Sequence, residues 1–222
     1  MAGPVDRKVY HMNLKKLLPG YGWLAIFLML GTNIAVYFGS RLITTSLPHY
    51  DLTCRLDHMI PFIKEFIIVY LGFAYTQWII GFYLIAREEK KVCYRACIAE
   101  VTAKLLCLVC FLVIPTTMVR AQVTGTDIFS KMVLGLYKLD PPDNLFPSIH
   151  CLESYVIWRI LPWMKKVPNW YKQITPVISI LVMASTVLVK QHIVVDILGA
   201  IIVVELGFLA SRFLCPRIKA LQ

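Results

Sequence analysis

The sequence predicts an all-α fold, a bundle of helices that cross a membrane. Hydrophobic residues make up 58% of the 222 residues and charged residues only 16%. A soluble domain has roughly 45–50% apolar and about 25% charged residues. The apolar residues also form runs near the length of about 20 residues that a helix needs to cross the hydrocarbon core. We therefore expect one domain, residues 1–222, embedded in a lipid bilayer.

Six apolar runs are candidates for membrane-spanning helices. They lie at about 21–40, 60–85, 96–119, 147–164, 174–189 and 192–213. The first follows a polar, basic N-terminus and is long enough to be an uncleaved helix rather than a signal peptide. The last two are separated only by Lys190-Gln191-His192, so they form an antiparallel hairpin if both cross the membrane.

The basic residues predict the orientation of this six-helix bundle. Connections on one side, including both termini, carry 15 lysines and arginines, and the other side carries 7. The positive-inside rule then places both termini in the cytoplasm, in a multi-pass protein of the plasma or cell membrane. The net charge of +10 is spread between apolar runs, which does not indicate a nucleic-acid partner. Arg120, His150 and the 190–196 segment all fall on the extracytoplasmic face, where we expect an active site.

His192 and Asp196 are the first candidate catalytic pair. They are four residues apart, so they share one face if they open the sixth helix. A carboxylate there can accept the imidazole Nδ1–H and leave Nε2 as a nucleophile or base. The alternative is that Asp196 only complements the positive end of the helix.

His150 is the second candidate catalytic histidine. Pro147 suits the first turn of a helix, and the backbone amides of Ser148 and Ile149 would then offer a seat for a phosphate group. At that position His150 could donate the proton that a leaving alkoxide needs. The alternative is an interfacial histidine bonded to water.

Arg120 and Lys190 are candidate phosphate-binding residues, because cations can neutralise the oxygens of a phosphoryl group during transfer. Alternatively, each side chain only extends to the lipid headgroups. Asp143 and Glu153 are candidates for tuning the site, and Glu153 lies one turn inside His150.

Glu205 lies roughly 20 Å along the helix from His192, too deep for the chemistry, so we expect it to pair with Arg159.

No metal or cofactor is expected. His150, His192 and Asp196 could ligate zinc, but the sequence has no HxxxH or HExxH motif and no evident fourth ligand. No glycine-rich loop with a Walker lysine predicts a nucleotide site.

Two of these segments resemble motifs of the type 2 phosphatidic acid phosphatase superfamily. Pro147-Ser148-Ile149-His150 resembles its P-S-G-H motif, and Ser185-Thr186 followed by His192 and Asp196 has the spacing of its S-R-x5-H-x3-D motif. The resemblance implies six helices and a ping-pong mechanism in which His192 forms a phosphohistidine, oriented by Asp196, and His150 protonates the leaving lipid alcohol. Arg120 would correspond to the arginine of the K-x6-R-P motif.

The chain departs from these motifs at four positions: Val113 for lysine, Ala121 for proline, Ile149 for glycine and Thr186 for arginine. Lys190 is a candidate to replace a lost cation. This form is similar to the branch that contains the inositol phosphorylceramide and sphingomyelin synthases, which transfer the phosphoryl group to another alcohol.

The expected function is metal-independent hydrolysis of a lipid phosphate or diphosphate through a phosphohistidine intermediate. The expected partners are a membrane lipid substrate and the bilayer. Two alternatives stay open: a lipid headgroup phosphotransferase, and a non-catalytic lipid-binding or transport protein. The sequence does not identify the lipid or the oligomeric state.

Overall fold

The computed structural model of the protein describes residues 17–217, apart from the side chain of Arg217. Five helical segments are long and apolar enough to cross a membrane: Gly20–Thr44, Lys64–Arg87, Lys90–Val113, Asn169–Leu188 and Val194–Leu214. The prediction of a helical membrane protein is confirmed at this level. The basic residues of segments 1–16 and 218–222, which entered the prediction of orientation, lie outside the described residues.

The helices and two short strands follow one another in this order: α1 (Gly20–Thr44), β1 (Tyr50–Asp51), α2 (Arg55–Met59), α3 (Ala74–Arg87), α4 (Lys90–Val113), β2 (Thr116–Thr117), α5 (Ile128–Leu139), α6 (Ile149–Ile160), α7 (Asn169–Leu188) and α8 (Val194–Leu214). A 3-10 turn, Lys64–Phe66, and a π-helical turn, Val69–Phe73, precede α3 and complete the second long segment. Further 3-10 turns, Leu161–Trp163 and Cys215–Arg217, follow α6 and α8.

The third long helix ends earlier than predicted. It was expected to continue to residue 119, but α4 ends at Val113. Pro115 disfavours a helical conformation at the residue before it, so the helix stops there. The chain continues in an extended conformation, and β2 pairs in parallel with β1. This pairing joins the loop after α1 to the loop after α4.

The predicted fourth span, 147–164, corresponds to α6 and its 3-10 turn. Helix α6 has 12 residues and the turn 3, which together extend about 22 Å. A hydrocarbon core is about 30 Å thick, so this segment is not among the five long helices. It packs against α3, α4, α7 and α8. Helix α6 is therefore a short helix in the middle of the bundle.

Helix α5 is a difference from the prediction, in which residues 120–138 form only a connection between two spans. Asp127 caps the helix by accepting N–H groups of its first turn, and Lys64 pairs with Asp127 at 2.5 Å. The helix buries Val133 and Leu136 in a small apolar cluster with Tyr70. An N-cap residue followed by apolar residues at helical spacing is the signal that could have identified it.

Helices α4 and α8 form the most extensive helix–helix contact of the described chain. A Cβ atom at Gly207 of α8 would overlap the backbone carbonyl of Ala99 on α4. Ala96, Ala103 and Ala200 are fully buried in the same core. Small residues allow two backbones to approach closely, which is how helices associate where lipid is as apolar as the side chains.

A buried lysine joins three helices. Lys104 of α4 is 1% exposed and forms ion pairs with Glu100 of the same helix and, at 2.7 Å, with Glu153 of α6. Its Nζ also donates to the carbonyl oxygen of Met29 on α1, at 3.0 Å. A buried charge is costly unless it is paired and hydrogen-bonded. The cluster therefore ties α6 to α4 and α1.

The predicted pair between Arg159 and Glu205 is confirmed. Arg159 Nε lies 2.6 Å from Glu205 Oε1, and the Tyr155 hydroxyl donates to the same carboxylate oxygen at 2.9 Å. This pair links α6 to α8.

We predict that Gly207→Ala destabilises the protein by about 1–3 kcal/mol, because the added methyl group forces α4 and α8 apart. Gly31→Ala is the matched control, since a Cβ at Gly31 would meet no atom within 4 Å. The measurement is the midpoint of thermal unfolding in detergent. Equal midpoints for the two variants would contradict the close α4–α8 contact.

Candidate active site

His192 and Asp196 form the predicted hydrogen-bonded pair. His192 Nδ1 lies 3.0 Å from Asp196 Oδ2, and the same oxygen accepts the backbone N–H of Ile193 at 3.1 Å. The prediction that His192 opens the last helix is wrong, because α8 begins at Val194, two residues later. Asp196 is fully buried and His192 is 8% exposed. The carboxylate therefore holds the ring through Nδ1 and leaves Nε2 for chemistry.

The turn between α7 and α8 places His192. The backbone N–H groups of Gln191 and His192 both donate to the carbonyl oxygen of Thr186, at 2.9 and 3.0 Å. Lys190 has a φ of 54°, in the left-handed region that costs a residue with a side chain roughly 1–2 kcal/mol. This conformation reverses the chain within a few residues and turns His192 back toward the bundle.

His150 lies in the first turn of α6, near His192. The two imidazole ring centroids are 6.0 Å apart. Its Nδ1 lies 3.2 Å from the hydroxyl oxygen of Tyr70, a residue that was not among the predicted site residues. The indole of Trp78 is 5.2 Å from the His150 ring and is itself held by a hydrogen bond from Nε1 to Ser154 Oγ. His150 is therefore enclosed by aromatic side chains of the second long segment.

The guanidinium of Arg120 is buried without a hydrogen-bonding partner. Among residues 17–217, none of its three side-chain nitrogens, Nε, Nη1 and Nη2, has such a partner. The group lies over the ring of Tyr137, 4.4 Å from the centroid, and burial lowers its pKa below the ordinary value. Buried charges are normally paired. An anion in the adjacent cavity would supply the missing acceptors.

Two cavities meet at His192. The polar cavity, about 450 Å³, is lined by Arg120, Lys190 and His192 together with Asp51, Asp57 and His58. The aromatic cavity, about 400 Å³, is lined by His150 and His192 together with Tyr37, Tyr75 and Trp78 and several aliphatic side chains. Its other polar lining residues are Asn33, Arg41, Asp140, Asp143 and Asn144. His192 therefore lies between the two cavities, with Arg120 and Lys190 on one side and His150 on the other.

Lys190 lines the polar cavity, but its ammonium group is already hydrogen-bonded to the loop that contains α2. Its Nζ donates to the carbonyl oxygens of Asp57 and Ile60, at 2.9 and 2.7 Å. Burial lowers the pKa of Lys190. The expected role as a phosphate ligand is therefore shared with, or replaced by, a role in holding the loop that contains α2.

Asp57, which was not among the predicted site residues, also holds the loop that contains α2. Its carboxylate accepts the backbone N–H of Val194 at 2.8 Å and that of Cys54 at 2.9 Å. Burial acts to raise the pKa of Asp57, but these backbone hydrogen bonds outweigh it and lower the pKa below the ordinary value. The α2 loop is thus bound to the first residue of α8, two positions after His192.

The predicted phosphate seat at the start of α6 is only half present. Ser148 is the N-cap, and its backbone N–H donates to the carbonyl oxygen of Asp196 at 3.2 Å, so the expectation of a free amide there is wrong. Pro147 precedes the cap and is not in the first turn, which corrects its expected position. Ile149 is the first helical residue and lines the aromatic cavity. Its N–H has no intrahelical acceptor, because it belongs to the first turn.

The two acids proposed to tune the site have other partners. Asp143 lines the aromatic cavity and forms an ion pair with Arg41 at 2.6 Å. Glu153 is 3% exposed, pairs with Lys104 and lies on neither cavity wall. Glu153 can therefore act on His150 only through the position of α6.

Residues Thr116 and Thr117 of β2 set the position of the loop that leads to α6. Thr116 Oγ1 accepts the backbone N–H of Phe146 at 2.8 Å, and the hydroxyl of Thr117 donates to the carbonyl oxygen of Pro142 at 2.6 Å. Arg120 follows β2 closely in the chain. The same strand thus places both Arg120 and the loop before His150.

Comparison of the chain with protein-family models, with curated proteins and with solved structures finds no match.

We predict that Arg120→Gln weakens the binding of inorganic phosphate about tenfold or more, because hydrogen bonds to a charged group contribute about 1.5–3 kcal/mol. Phosphate at ten times its Kd should raise the stability of the wild-type protein by about 1.4 kcal/mol. The measurement is the shift of the thermal midpoint with phosphate concentration.

Lys131→Gln, which removes an exposed cation of α5, is the control and should keep the wild-type shift. Without phosphate, Arg120→Gln should be at least as stable as the wild type, since it removes an unpaired buried charge. A wild-type phosphate response in Arg120→Gln would refute the anion site.

Proposed function

We propose that this protein is an integral-membrane enzyme of the type 2 phosphatidic acid phosphatase superfamily that hydrolyses a lipid phosphate or diphosphate. The observation that carries the proposal is the Arg120 guanidinium, buried without a hydrogen-bonding partner in the described chain, in the cavity that His192 lines. A buried cation beside a histidine oriented by a carboxylate suits an anionic phosphoryl group under nucleophilic attack.

In the first step, Nε2 of His192 attacks phosphorus. Asp196 accepts the hydrogen bond from Nδ1–H of His192 in both steps and stabilises the positive charge that the phosphorylated ring acquires. The bond between phosphorus and the lipid oxygen breaks, and His150 gives that oxygen a ring proton. The products of this step are a lipid alcohol and a phosphohistidine.

In the second step, water attacks the phosphohistidine. His150, now lacking the proton, removes one from the attacking water. The phosphorus–nitrogen bond breaks, its electron pair returns to Nε2 of His192, and phosphate leaves. Arg120 neutralises the non-bridging oxygens in both steps, and the residues need no metal for either.

The aromatic cavity supports a lipid as substrate. Beside His150 it is lined by apolar side chains that include Phe38, Leu71 and Leu139. The leaving alcohol must lie next to the histidine that protonates it. The apolar part of this wall suits an apolar alcohol as the leaving group, since the charged residues Arg41, Asp140 and Asp143 of the same cavity pair with one another.

The proposed function includes an orientation in the membrane. In it, α6 is a short span, the fourth of six in chain order, both termini are cytoplasmic, and the two histidines lie at the extracytoplasmic face of the plasma or cell membrane. The distribution of lysine and arginine between the connections supports this arrangement.

A lipid headgroup phosphotransferase is the second candidate. The polar cavity of about 450 Å³ is far larger than a phosphate group and lies against His192. It would leave room for a polar substituent that stays on phosphorus while the lipid alcohol leaves. In that case an alcohol would replace water in the second step.

We predict that the purified protein releases phosphate from at least one of phosphatidate, a sphingoid phosphate or a prenyl diphosphate, and that EDTA does not reduce the rate. His192→Ala should lower kcat by at least about 10³-fold, because it removes the nucleophile. A phosphorylated wild-type intermediate should be labile to acid and stable to alkali.

His49→Ala is the matched control, because His49 lies in neither cavity and should be dispensable. Loss of activity with EDTA would favour a metal mechanism. Absence of phosphate release, together with transfer from a diacyl phospholipid to an added alcohol, would establish the phosphotransferase. Absence of both reactions would favour a non-catalytic lipid-binding protein.

A further inference from the structure

Tyr70 is fully buried in the first third of the second long segment, in the π-helical turn Val69–Phe73. Single π-helical turns within α-helices occur frequently at functional sites. The Tyr70 ring packs against Ile67, Val133 and Val189 in an apolar cluster. Its hydroxyl oxygen lies 3.2 Å from His150 Nδ1, and the two rings are 4.5 Å apart. The hydroxyl thus lies in apolar surroundings beside one of the two proposed catalytic histidines.

The hydrogen bond between these side chains has a direction that burial decides. Within residues 17–217, His150 Nδ1 is the acceptor available to the Tyr70 hydroxyl. If Nδ1 carried the proton and donated it instead, the tyrosine O–H would be left buried without an acceptor, which is costly. The Tyr70 hydroxyl therefore donates, and Nδ1 of the neutral imidazole is the unprotonated nitrogen.

The tautomer of His150 follows from that direction. A neutral imidazole with an unprotonated Nδ1 carries its proton on Nε2. Nε2 has no hydrogen-bonding partner in the described chain, and His150 lines the aromatic cavity. The proton of His150 is therefore on the nitrogen that is not engaged with the protein interior.

We propose that Tyr70 is a positioning residue that fixes His150 as its Nε2–H tautomer, so that the ring presents a proton to the leaving lipid oxygen. The catalytic part of this inference rests on the proposed function. The two histidines then receive opposite tautomers from their partners. Asp196 accepts from Nδ1–H of His192 and makes its Nε2 a nucleophile, whereas Tyr70 donates to Nδ1 of His150 and leaves its Nε2–H for the leaving oxygen. As the Nε2 proton moves to the lipid oxygen, the Tyr70 hydroxyl proton moves to Nδ1, so the ring stays neutral. The reverse transfers follow when Nε2 takes a proton from the attacking water.

This assignment makes the effect of Tyr70 depend on the leaving group. An alkoxide needs a proton as the bond to phosphorus breaks, but a nitrophenolate leaves without one. Loss of the Tyr70 hydroxyl should therefore slow hydrolysis of an alkyl phosphate and leave hydrolysis of p-nitrophenyl phosphate nearly unchanged. A residue that only supported the fold would affect both substrates equally.

We predict that Tyr70→Phe lowers kcat for a lipid phosphate about tenfold, the equivalent of about 1.4 kcal/mol in the barrier, with an unchanged KM. For p-nitrophenyl phosphate, kcat should change less than about twofold, because the nitrophenolate leaves without the proton whose transfer accelerates loss of an alkoxide by about 10²–10⁴-fold. Tyr83→Phe is the control, because it removes a hydroxyl from α3 that bonds only to Arg87 in the described chain. Equal losses on both substrates, or no loss on either, would overturn the proposal.

A second measurement requires neither enzymatic activity nor the Tyr70→Phe variant. The ¹⁵N spectrum of histidine-labelled wild-type protein distinguishes a protonated from an unprotonated ring nitrogen, and comparison with His150→Gln assigns the signal. The expected result is an unprotonated Nδ1 and a protonated Nε2 on His150. A protonated Nδ1 would overturn the proposal. If the spectrum is as expected but the protein has no phosphatase activity, the assignment of the His150 tautomer stands and only the proposed function is refuted.

Discussion

The whole structure depends on one constraint, that lipid offers no hydrogen-bonding partner to a polar group inside the bundle. Lys104 meets it with two carboxylates and a backbone carbonyl drawn from three helices. Oδ2 of Asp196 meets it with the imidazole of His192 and a backbone N–H, although Oδ1 has no hydrogen-bonding partner among the described residues. Arg120 does not meet it among the described residues. Lys104 therefore belongs to the architecture of the bundle, whereas we propose that Arg120 binds the phosphoryl group of a substrate.

The proposed site is assembled by loops that are tied to one another rather than by one helix. The α2 loop is bound to the turn before α8 through Lys190 and Asp57. Strand β2 is bound to the loop before α6 through Thr116. Lys190 also accepts a left-handed backbone conformation at this point. Backbone strain that persists because its surroundings require it is typical of functional sites, and here it lies two residues from His192.

The sequence predicted the class of the fold and most of the long helices, because length and apolarity are local properties of the chain. It misplaced the end of α4, where Pro115 and the pairing of β1 with β2 stop the helix. It predicted a sixth span at 147–164, where the structure has the short helix α6 and a 3-10 turn packed against four other helices. It did not predict α5, an amphipathic helix capped by Asp127, because residues 120–138 lie between two apolar runs and were assigned to a connection.

The sequence by itself determined the pairing of His192 with Asp196 and the pairing of Arg159 with Glu205. The first was predicted from the four-residue spacing, which brings the two side chains together although His192 precedes α8. The second follows from the cost of a charge inside an apolar helix. Only the tertiary structure decided the contact of Tyr70 with His150 and the role of Asp57, since these partners come from distant segments with no motif of their own. The same is true of the state of Arg120, because a side chain lacks a hydrogen-bonding partner only when every neighbour has been placed.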